Sequence, residues 1–277
     1  MFKDIMVHLD GSPEDEIRLE HGQALASSGR AHLIGLFTNQ LPDLTVAMPM
    51  DGGAAAIQIL TELQDQAMRD GDARAKWLKQ RWADLQVPSE LRRLDESFGV
   101  LNGKVVKQAR CADLFIATRP YGEAKSAAWP DLVEAVLFGS GRAMLIVPPG
   151  QHRQGPFETV LVAWNGSRES ARALREGLEF IEQAARTVVL VVDPPTDGMP
   201  CADLKAHLAH HNVVAEVVTV GSEDRPIAEI ILEEARRISA DLIIMGAYGH
   251  TRLREQVFGG ATRDMLTTSE SPILVAH

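Results

Sequence analysis

The sequence predicts an α/β protein in which one unit of alternating strands and helices occurs twice along 277 residues. Three observations lead to this prediction. Short apolar, β-branched runs alternate with helical patterns, an opening sequence at residue 2 recurs at residue 157, and a Pro- and Gly-rich segment separates the two copies. Strands that alternate with helices favour a parallel sheet with helices on both faces. We therefore expect two domains, residues 1–148 and residues 157–277.

The repeat is clearest where each copy begins. Residues 2–14 and residues 157–169 both start with Phe, continue in a mostly apolar run and end in a turn of the form Asp/Asn-Gly-Ser-x-Glu. Near the end of each copy, Leu145-Ile-Val147 corresponds to Ile273-Leu-Val275. A period this long is incompatible with a solenoid, so each copy should have its own core, with residues 148–156 as the linker.

The second copy shows the strand and helix periods most clearly. Its predicted elements are a strand Thr159–Ala163, a helix from Glu169 to about Ala185, a strand Thr187–Val192, a helix Cys201–His211, a strand Val213–Val220, a helix Arg225–Ile238, a strand Asp241–Met245, a helix Ala261–Thr268 and a strand Pro272–Ala276. The first copy adds a long Ala-rich helix between Gln40 and Gln86. Its expected core residues are Leu60, Leu63, Ala67, Trp77, Leu78 and Trp82.

Charge and composition narrow the class of protein. The chain carries 28 Lys and Arg against 38 Asp and Glu, a net charge of −10, and a field of that sign repels nucleic acid. Its two cysteines, Cys111 and Cys201, lack C-x-x-C spacing, so we expect plain buried or half-buried thiols without a disulfide or a zinc site. Neither a secretory signal nor an apolar run of ~18 residues is found, so we expect a cytoplasmic protein without membrane contacts.

The candidate ligand site of the second copy follows its fourth strand. The run Asp241–Met245 ends in Gly246, a further glycine follows at Gly249, and residues 259–262 (Gly-Gly-Ala-Thr) open the next helix. Glycines allow the backbone to turn sharply and to approach a ligand, and the N–H groups of a helix N-terminus favour an anion. The segment is a candidate phosphate cradle, although a strand-to-helix connection that merely needs positive φ has the same pattern.

This segment resembles the ATP-binding signature of the universal stress protein family. The signature has the form Gly-x2-Gly-x9-Gly followed by a small residue, and here it lies between the strand that ends at Met245 and the last strand. The resemblance covers nearly the whole chain, twice, but the full motif occurs only in the second copy. It implies two tandem Rossmann-like domains, each a five-stranded parallel sheet in the order 3-2-1-4-5 flanked by helices. Strands one and four then border the ligand crevice.

The resemblance also implies roles for residues at three strand ends and at one helix start. The turn after strand one contacts adenine and ribose, and the end of strand two faces adenine. The end of strand four borders the base and the α-phosphate, and the helix start donates to the β- and γ-phosphates. In chain order the implied cofactor-binding residues are Ala163, Trp164, Asn165, Val192, Met245, Gly246, Gly249, Gly259, Gly260, Ala261 and Thr262.

Three of these residues depart from the family pattern. The strand-one acid is Asn165, which can hydrogen-bond a ribose hydroxyl but brings no charge, and the last signature position, usually Ser or Thr, is Gly260. Trp164 is bulky where small residues are usual, so its indole either stacks on adenine or fills the pocket. The expected ligand is ATP, with or without Mg²⁺. Any hydrolysis should be slow, because the sequence places no general base and no metal carboxylate in the cradle.

The first copy carries a degenerate version of the motif. Asp10 retains the strand-one acid and Gly139-Ser140 retains the phosphate pair, but Thr118 replaces the first glycine and Pro120 follows it. This copy is therefore interpreted as a structural partner of the second, with a different or smaller anion as the alternative.

The first functional hypothesis is a stress-responsive ATP-binding module or switch with a protein partner that the sequence does not name. An enzyme of the same fold group, adenylating or ATP-pyrophosphatase, is one alternative, but its S-G-G-x-D-S sequence is absent after strand one. A ligand-free scaffold is another, with the two sheets paired edge to edge through residues 145–147 and 273–275. Such a chain is either a monomer that imitates a dimer or a dimer of such chains. A metal site at Asp203, His207 and His211 is weaker than a solvated helix face.

Overall fold

The computed structural model describes residues 2–43, 54–121, 129–153, 155–194, 200–248 and 260–277. The strands are β1 (Asp4–Leu9), β2 (His32–Leu41), β3 (Ser89–Ser97), β4 (Leu114–Thr118), β5 (Ala143–Val147), β6 (Thr159–Ala163), β7 (Arg186–Val192), β8 (Ala215–Val220), β9 (Leu242–Gly246) and β10 (Ile273–Ala276). The helices of the described segments are α1 (Glu14–Gly29), α2 (Ala54–Ala83), α3 (Phe98–Ala109), α4 (Pro130–Gly139), α5 (Arg168–Glu176), α6 (Leu178–Gln183), α7 (Pro200–His210), α8 (Ile227–Arg237) and α9 (Gly260–Thr268).

All ten strands join one sheet in the order β3-β2-β1-β4-β5-β10-β9-β6-β7-β8. Each half of this sheet has the order 3-2-1-4-5 in its own numbering, which confirms the expected fold. The pairs inside each half are parallel. The strand order therefore reverses between β1 and β4 and again between β6 and β9, and these two places are where such sheets hold ligands.

The two halves meet at a single antiparallel pair of strands. Leu274 of β10 lies opposite Leu145 of β5, and Ile273 lies opposite Ile146. These residues are fully or almost fully buried. The edge pairing that was expected for a scaffold is thus present, and it removes two apolar strand edges from solvent.

Apolar side chains cover both faces of the sheet, as predicted. We call the layer that contains Val7 and Val162 layer A, and the layer that contains Met6 and Leu161 layer B. Residues along a strand alternate between them because successive side chains point to opposite faces. Helices α1, α2, α5, α6 and α7 contribute to layer A, whereas α3, α4, α8 and α9 contribute to layer B. None of the helices in the described segments has the length and apolar composition that a membrane crossing requires.

Some predictions about single elements were wrong. In α2, Leu60 and Leu78 are buried, but Leu63 and Trp77 are 50% and 48% exposed. At about 100° per residue, Trp77 lies a quarter-turn or more from the direction of Leu60 and Leu78, so it cannot share their contacts. The single helix expected after residue 169 is divided into α5 and α6 at Gly177.

The prediction of buried thiols was also wrong for Cys111, which is exposed. The side chain of Cys201 lies outside the described residues. The strand predictions for the second half were more accurate, because each strand is present with bounds shifted by at most two residues.

Candidate functional site

The candidate nucleotide crevice lies where β6, β7 and β9 end and α9 begins. Ala163 and Val192 pack on layer B, which also contains Met245. Thr262, in the first turn of α9, is 7% exposed, and α9 covers this same face through buried residues of its own. The structure thus brings four of the predicted site residues to one face of the sheet, at the point where the strand order reverses.

Trp164 points to the opposite face. Its indole packs on layer A, and its Nε1 atom is buried without a hydrogen-bond partner among the described residues. Its backbone N–H donates to the carbonyl oxygen of Leu190 at 2.9 Å, which continues the ladder between β6 and β7. The indole therefore lies on the opposite face of the sheet from Ala163, Val192 and Met245. The side chain is part of the core behind the crevice.

Asn165 lies in the turn between β6 and α5. Its Oδ1 accepts a hydrogen bond from the Ser167 N–H at 3.1 Å, and the Ser167 hydroxyl caps α5 by accepting from the Ser170 N–H at 3.1 Å. Gly166 has a φ of +72°, a conformation that favours glycine. The Asn165 side chain is exposed, so its amide is accessible at the rim of the crevice.

Gly246 has a packing role that the sequence did not reveal. A Cβ atom at this position would lie 2.5 Å from the Ser170 backbone nitrogen and 2.6 Å from the Glu169 carbonyl carbon. The missing side chain therefore lets the first turn of α5 approach the end of β9. The φ angle of Gly246 is not among the positive values of the described chain, so a sharp turn is not the reason for this glycine.

Tyr248 begins the segment that leaves β9 for the cradle, and its backbone is held in an uncommon conformation. Its φ is +58°, which is rare for an aromatic residue. Its N–H donates to the Thr262 hydroxyl oxygen at 3.4 Å, and its ring lies 5.1 Å from that of Phe138 in the first half. Burial and the nearby charge of Glu134 raise the pKa of Tyr248 to about 12. Phe138 of the first half thus contacts the last residue described after β9.

The start of α9 suits a phosphate group. Gly260 is exposed, Ala261 is half-buried and the first turn contains no acidic residue. The positive end of the helix dipole is offset in part by the carboxylate of Asp264, about one turn further along α9. A Cβ atom at Gly260 would have its nearest neighbour, Asp264 Oδ2, at 3.5 Å, which is ordinary contact. The remaining predicted residues, Gly249 and Gly259, lie outside the described residues.

The equivalent crevice of the first half is narrowed by its own side chains. Asp10 Oδ2 accepts from the Trp129 indole N–H at 2.7 Å, and Oδ1 accepts from Arg18 at 2.8 Å and from the Ser12 N–H at 3.0 Å. Asp15 also binds Arg18, and its oxygens accept from the Asp10 and Gly11 N–H groups. The acid that could contact a ribose is therefore already saturated.

Burial and charge set the protonation states of this cluster. Burial alone would raise the pKa of Asp10, but the Arg18 guanidinium and the Ser12 hydrogen bonds outweigh it and hold this pKa below its ordinary value. Burial raises the pKa of Asp15 to about 6 against the opposing effect of Arg18. Burial, followed by the charge of Arg18, lowers the pKa of His8 to about 3. Asp10 is thus ionised and His8 is neutral near pH 7.

Sequence reasoning missed Arg18 and Trp129 in this cluster. Arg18 is 1% exposed although it is charged, and its only sequence signal is its position between the apolar residues Ile17 and Leu19 in α1. Trp129 reaches Asp10 over a sequence separation of 119 residues, which no local pattern predicts.

The weak metal hypothesis gains no support. The rings of His207 and His211 lie 5.0 Å apart, and His211 Nδ1 is 2.9 Å from Glu182. Within the described parts of the chain, no group of three His, Cys, Asp or Glu side chains is arranged to hold a metal ion.

The fold defines a class of protein: an α/β protein with two Rossmann-like halves, which are joined at their edge strands and each have a candidate ligand crevice where the strand order reverses. The Universal stress protein family model matches residues 156–277. Residues 156–277, the second half of the chain, therefore belong to the universal stress protein family.

Several known proteins are similar to this chain. A universal stress protein from Archaeoglobus fulgidus DSM 4304 has a TM-score of 0.68 at 17% identity, covering 99% of this chain and 97% of its own. A functionally unknown protein from Pseudomonas aeruginosa PAO1 has a TM-score of 0.63 at 15% identity, covering 99% of this chain and 92% of its own. Both likenesses concern the fold. Stress response protein NhaX of Bacillus subtilis (strain 168) is 24% identical over 160 residues, covering 43% of this chain and 96% of NhaX.

Proposed function

We propose that the second half binds an adenine nucleotide, with ATP as the ligand, and that the protein acts as a stress-response binding module or switch. One observation carries the proposal: Ala163, Val192 and Met245 line one face of the sheet where β6, β7 and β9 end, beside the start of α9. The family-model match over residues 156–277 supports the same assignment, because residues 246–260 of this half resemble the family's ATP-binding signature.

In this proposal the base and the phosphates occupy different parts of the crevice. The side chains of Ala163, Val192 and Met245 provide an apolar surface for adenine. Packing on this surface removes the faces of the base from water, which is favourable. The N–H groups of Gly260, Ala261 and Thr262 face the anionic end, where the dipole of α9 adds a favourable potential. Asn165 at the rim is placed to hydrogen-bond a ribose hydroxyl.

We propose that the second half binds ATP without rapid hydrolysis. Asn165 stands where a carboxylate would help to hold Mg²⁺, so a metal ion would rely on the phosphates and on water. Without a charged ligand or a general base in the turn after β6, hydrolysis should be slow. The chain would then signal through its bound state to a protein partner.

The domain division and the association state belong to the same proposal. We propose that residues 1–148 and 157–277 are separate domains and that the chain is an intrachain pseudo-dimer. Support comes from the β5 and β10 pairing, because it already uses the edge strands through which two separate copies would associate.

A matched pair of variants tests nucleotide binding. Val192→Trp should fill the adenine end of the crevice and lower ATP affinity by at least about tenfold, whereas Val220→Trp, on the neighbouring edge strand β8 and on the same face, should retain it. Both valines are half-buried on layer B, so the two changes perturb packing similarly. Calorimetric titration and identification of any nucleotide released on denaturation provide the readout. No binding by wild type would favour the scaffold, and ATP-dependent turnover of a second substrate would favour the enzyme.

A further inference from the structure

The first half has its own crevice between the ends of β1 and β4. The crevice is lined by His8, Arg18, Thr118, Arg119 and Trp129 among other residues. Its cavity volume is about 10 Å³. A cavity of this size holds about one water-sized occupant.

A nucleotide does not suit this crevice. The Trp129 ring lies edge-on to the His8 ring with 5.1 Å between centroids, and its indole N–H is bound to Asp10 at 2.7 Å. The position beside the strand-one acid, which a ribose would need, is therefore taken by the indole. Any ligand here must be small and must bind to groups other than Asp10.

Three polar atoms of residues that line the crevice are buried and have no partner among the described residues. They are Arg18 Nε, Arg119 Nε and Thr118 Oγ1. Buried polar groups are nearly always paired with protein, with water or with an ion. Two of these atoms can only donate a hydrogen bond, and the hydroxyl can donate as well. Donors on residues that line one small crevice favour an acceptor inside it, and a single anion accepts from more than one donor.

Arg18 and Arg119 differ in the groups that compensate their positive charges. Arg18 is 1% exposed and pairs with the carboxylates of Asp10 and Asp15. Arg119 donates from Nη1 to the carbonyl oxygen of Ser269 at 3.0 Å, and no carboxylate lies within ion-pair distance of it in the described part of the chain. Its positive charge is therefore compensated only by a neutral dipole, which leaves a favourable place for a single negative charge.

We propose that this crevice binds one small inorganic monovalent anion, of the size of chloride or nitrate, between Arg119, Arg18 and Thr118. The site does not depend on nucleotide binding in the second half. Its occupant completes the hydrogen bonds of the buried donors and supplies the counter-charge of Arg119. Because Arg119 also holds the C-terminal end of α9 through Ser269, the anion fixes a contact between the halves.

Diffraction from crystals of the full chain soaked in bromide tests the location. An anomalous peak in the crevice of the wild type, lost in Arg119→Gln and weakened in Thr118→Val, is expected. Arg225→Gln is the control, because Arg225 is an exposed arginine of the second half whose ion pair with Glu233 is remote from the crevice. A water molecule in the crevice without bromide, or bromide at surface positions alone, would overturn the proposal.

Thermal unfolding of the full chain in solution tests the affinity. At constant ionic strength, replacing gluconate by chloride should raise the unfolding midpoint of the wild type and of Arg225→Gln, because a ligand that binds only the native state stabilises it. Thr118→Val keeps the shape of the side chain. It should need about tenfold more chloride for the same rise in the unfolding midpoint, because losing one hydrogen bond to a charged group lowers the affinity by about that factor. An equal chloride effect in the wild type, Thr118→Val and Arg119→Gln would refute the site.

Discussion

Replacing Gly246 by alanine tests whether this signature glycine serves packing as well as any ligand. The added Cβ would lie 2.5 Å from the Ser170 nitrogen and 2.6 Å from the Glu169 carbonyl carbon. Both are backbone atoms in the first turn of α5, which cannot rotate away as a flexible side chain can. Overpacking of this kind costs about 1–3 kcal/mol, and we expect the upper part of that range because the helix itself must shift.

Gly103→Ala is the matched control for Gly246→Ala. Gly103 lies inside α3, is exposed and has no atom within 4 Å of an added Cβ, so alanine should stabilise the chain by about 0.5–1 kcal/mol. Urea unfolding followed by far-ultraviolet circular dichroism measures both variants. If Gly246→Ala proves as stable as the wild type, the close approach of α5 to β9 is not the reason for this glycine, and the packing account fails.

Three further changes have defined outcomes. Gly260→Ser has room for its Cβ beside Asp264 and restores a donor at the start of α9, so ATP should bind about tenfold more tightly, whereas Gly103→Ser should leave the titration unchanged. Burial lowers the pKa of His21 to about 4, although its hydrogen bond to the Gln151 carbonyl acts in the opposite direction. The neutral imidazole therefore contributes stability that is fully present above about pH 6.5 and is lost as the pH falls towards 4. His21→Gln should remove about 2 kcal/mol of the stability difference between about pH 7 and pH 5 in urea unfolding, and an unaltered pH slope would contradict this. Residues 157–277 expressed alone should dimerise through the exposed edge of β10, and a monomer in sedimentation would contradict the role of that edge.

The fold could be predicted because its signals are local and repeated. The periods of the strands and helices are clear in residues 157–277, and the repetition of the opening sequence fixes the number of units. The paired edges could also be anticipated, because residues 145–147 and 273–275 are short apolar strands at the ends of their repeats. What the periods did not specify was the exact direction of side chains on α2, where Trp77 lies beside the apolar stripe rather than within it.

The candidate site could be predicted less completely than the fold. Its geometry depends on which face of the sheet each side chain occupies and on contacts between segments that are far apart in the chain. The alternation along β6 places Val162 on layer A and Ala163 on layer B, so continuing the count by one residue puts Trp164 on layer A, opposite the face proposed for adenine. That inference was available from the sequence. The approach of α5 to Gly246 and the bond from Trp129 to Asp10 were not, since each joins segments far apart in the chain.

The central claim is that an adenine nucleotide binds where β6, β7 and β9 end. Hydrogen–deuterium exchange of the full chain with and without saturating ATP measures this location directly. The account predicts slower exchange in peptides that contain Asn165, the end of β7 and the first turn of α9, with no change around Asp10 and Trp129. Protection confined to the first-half crevice, or ATP binding that leaves the start of α9 unchanged, would contradict it.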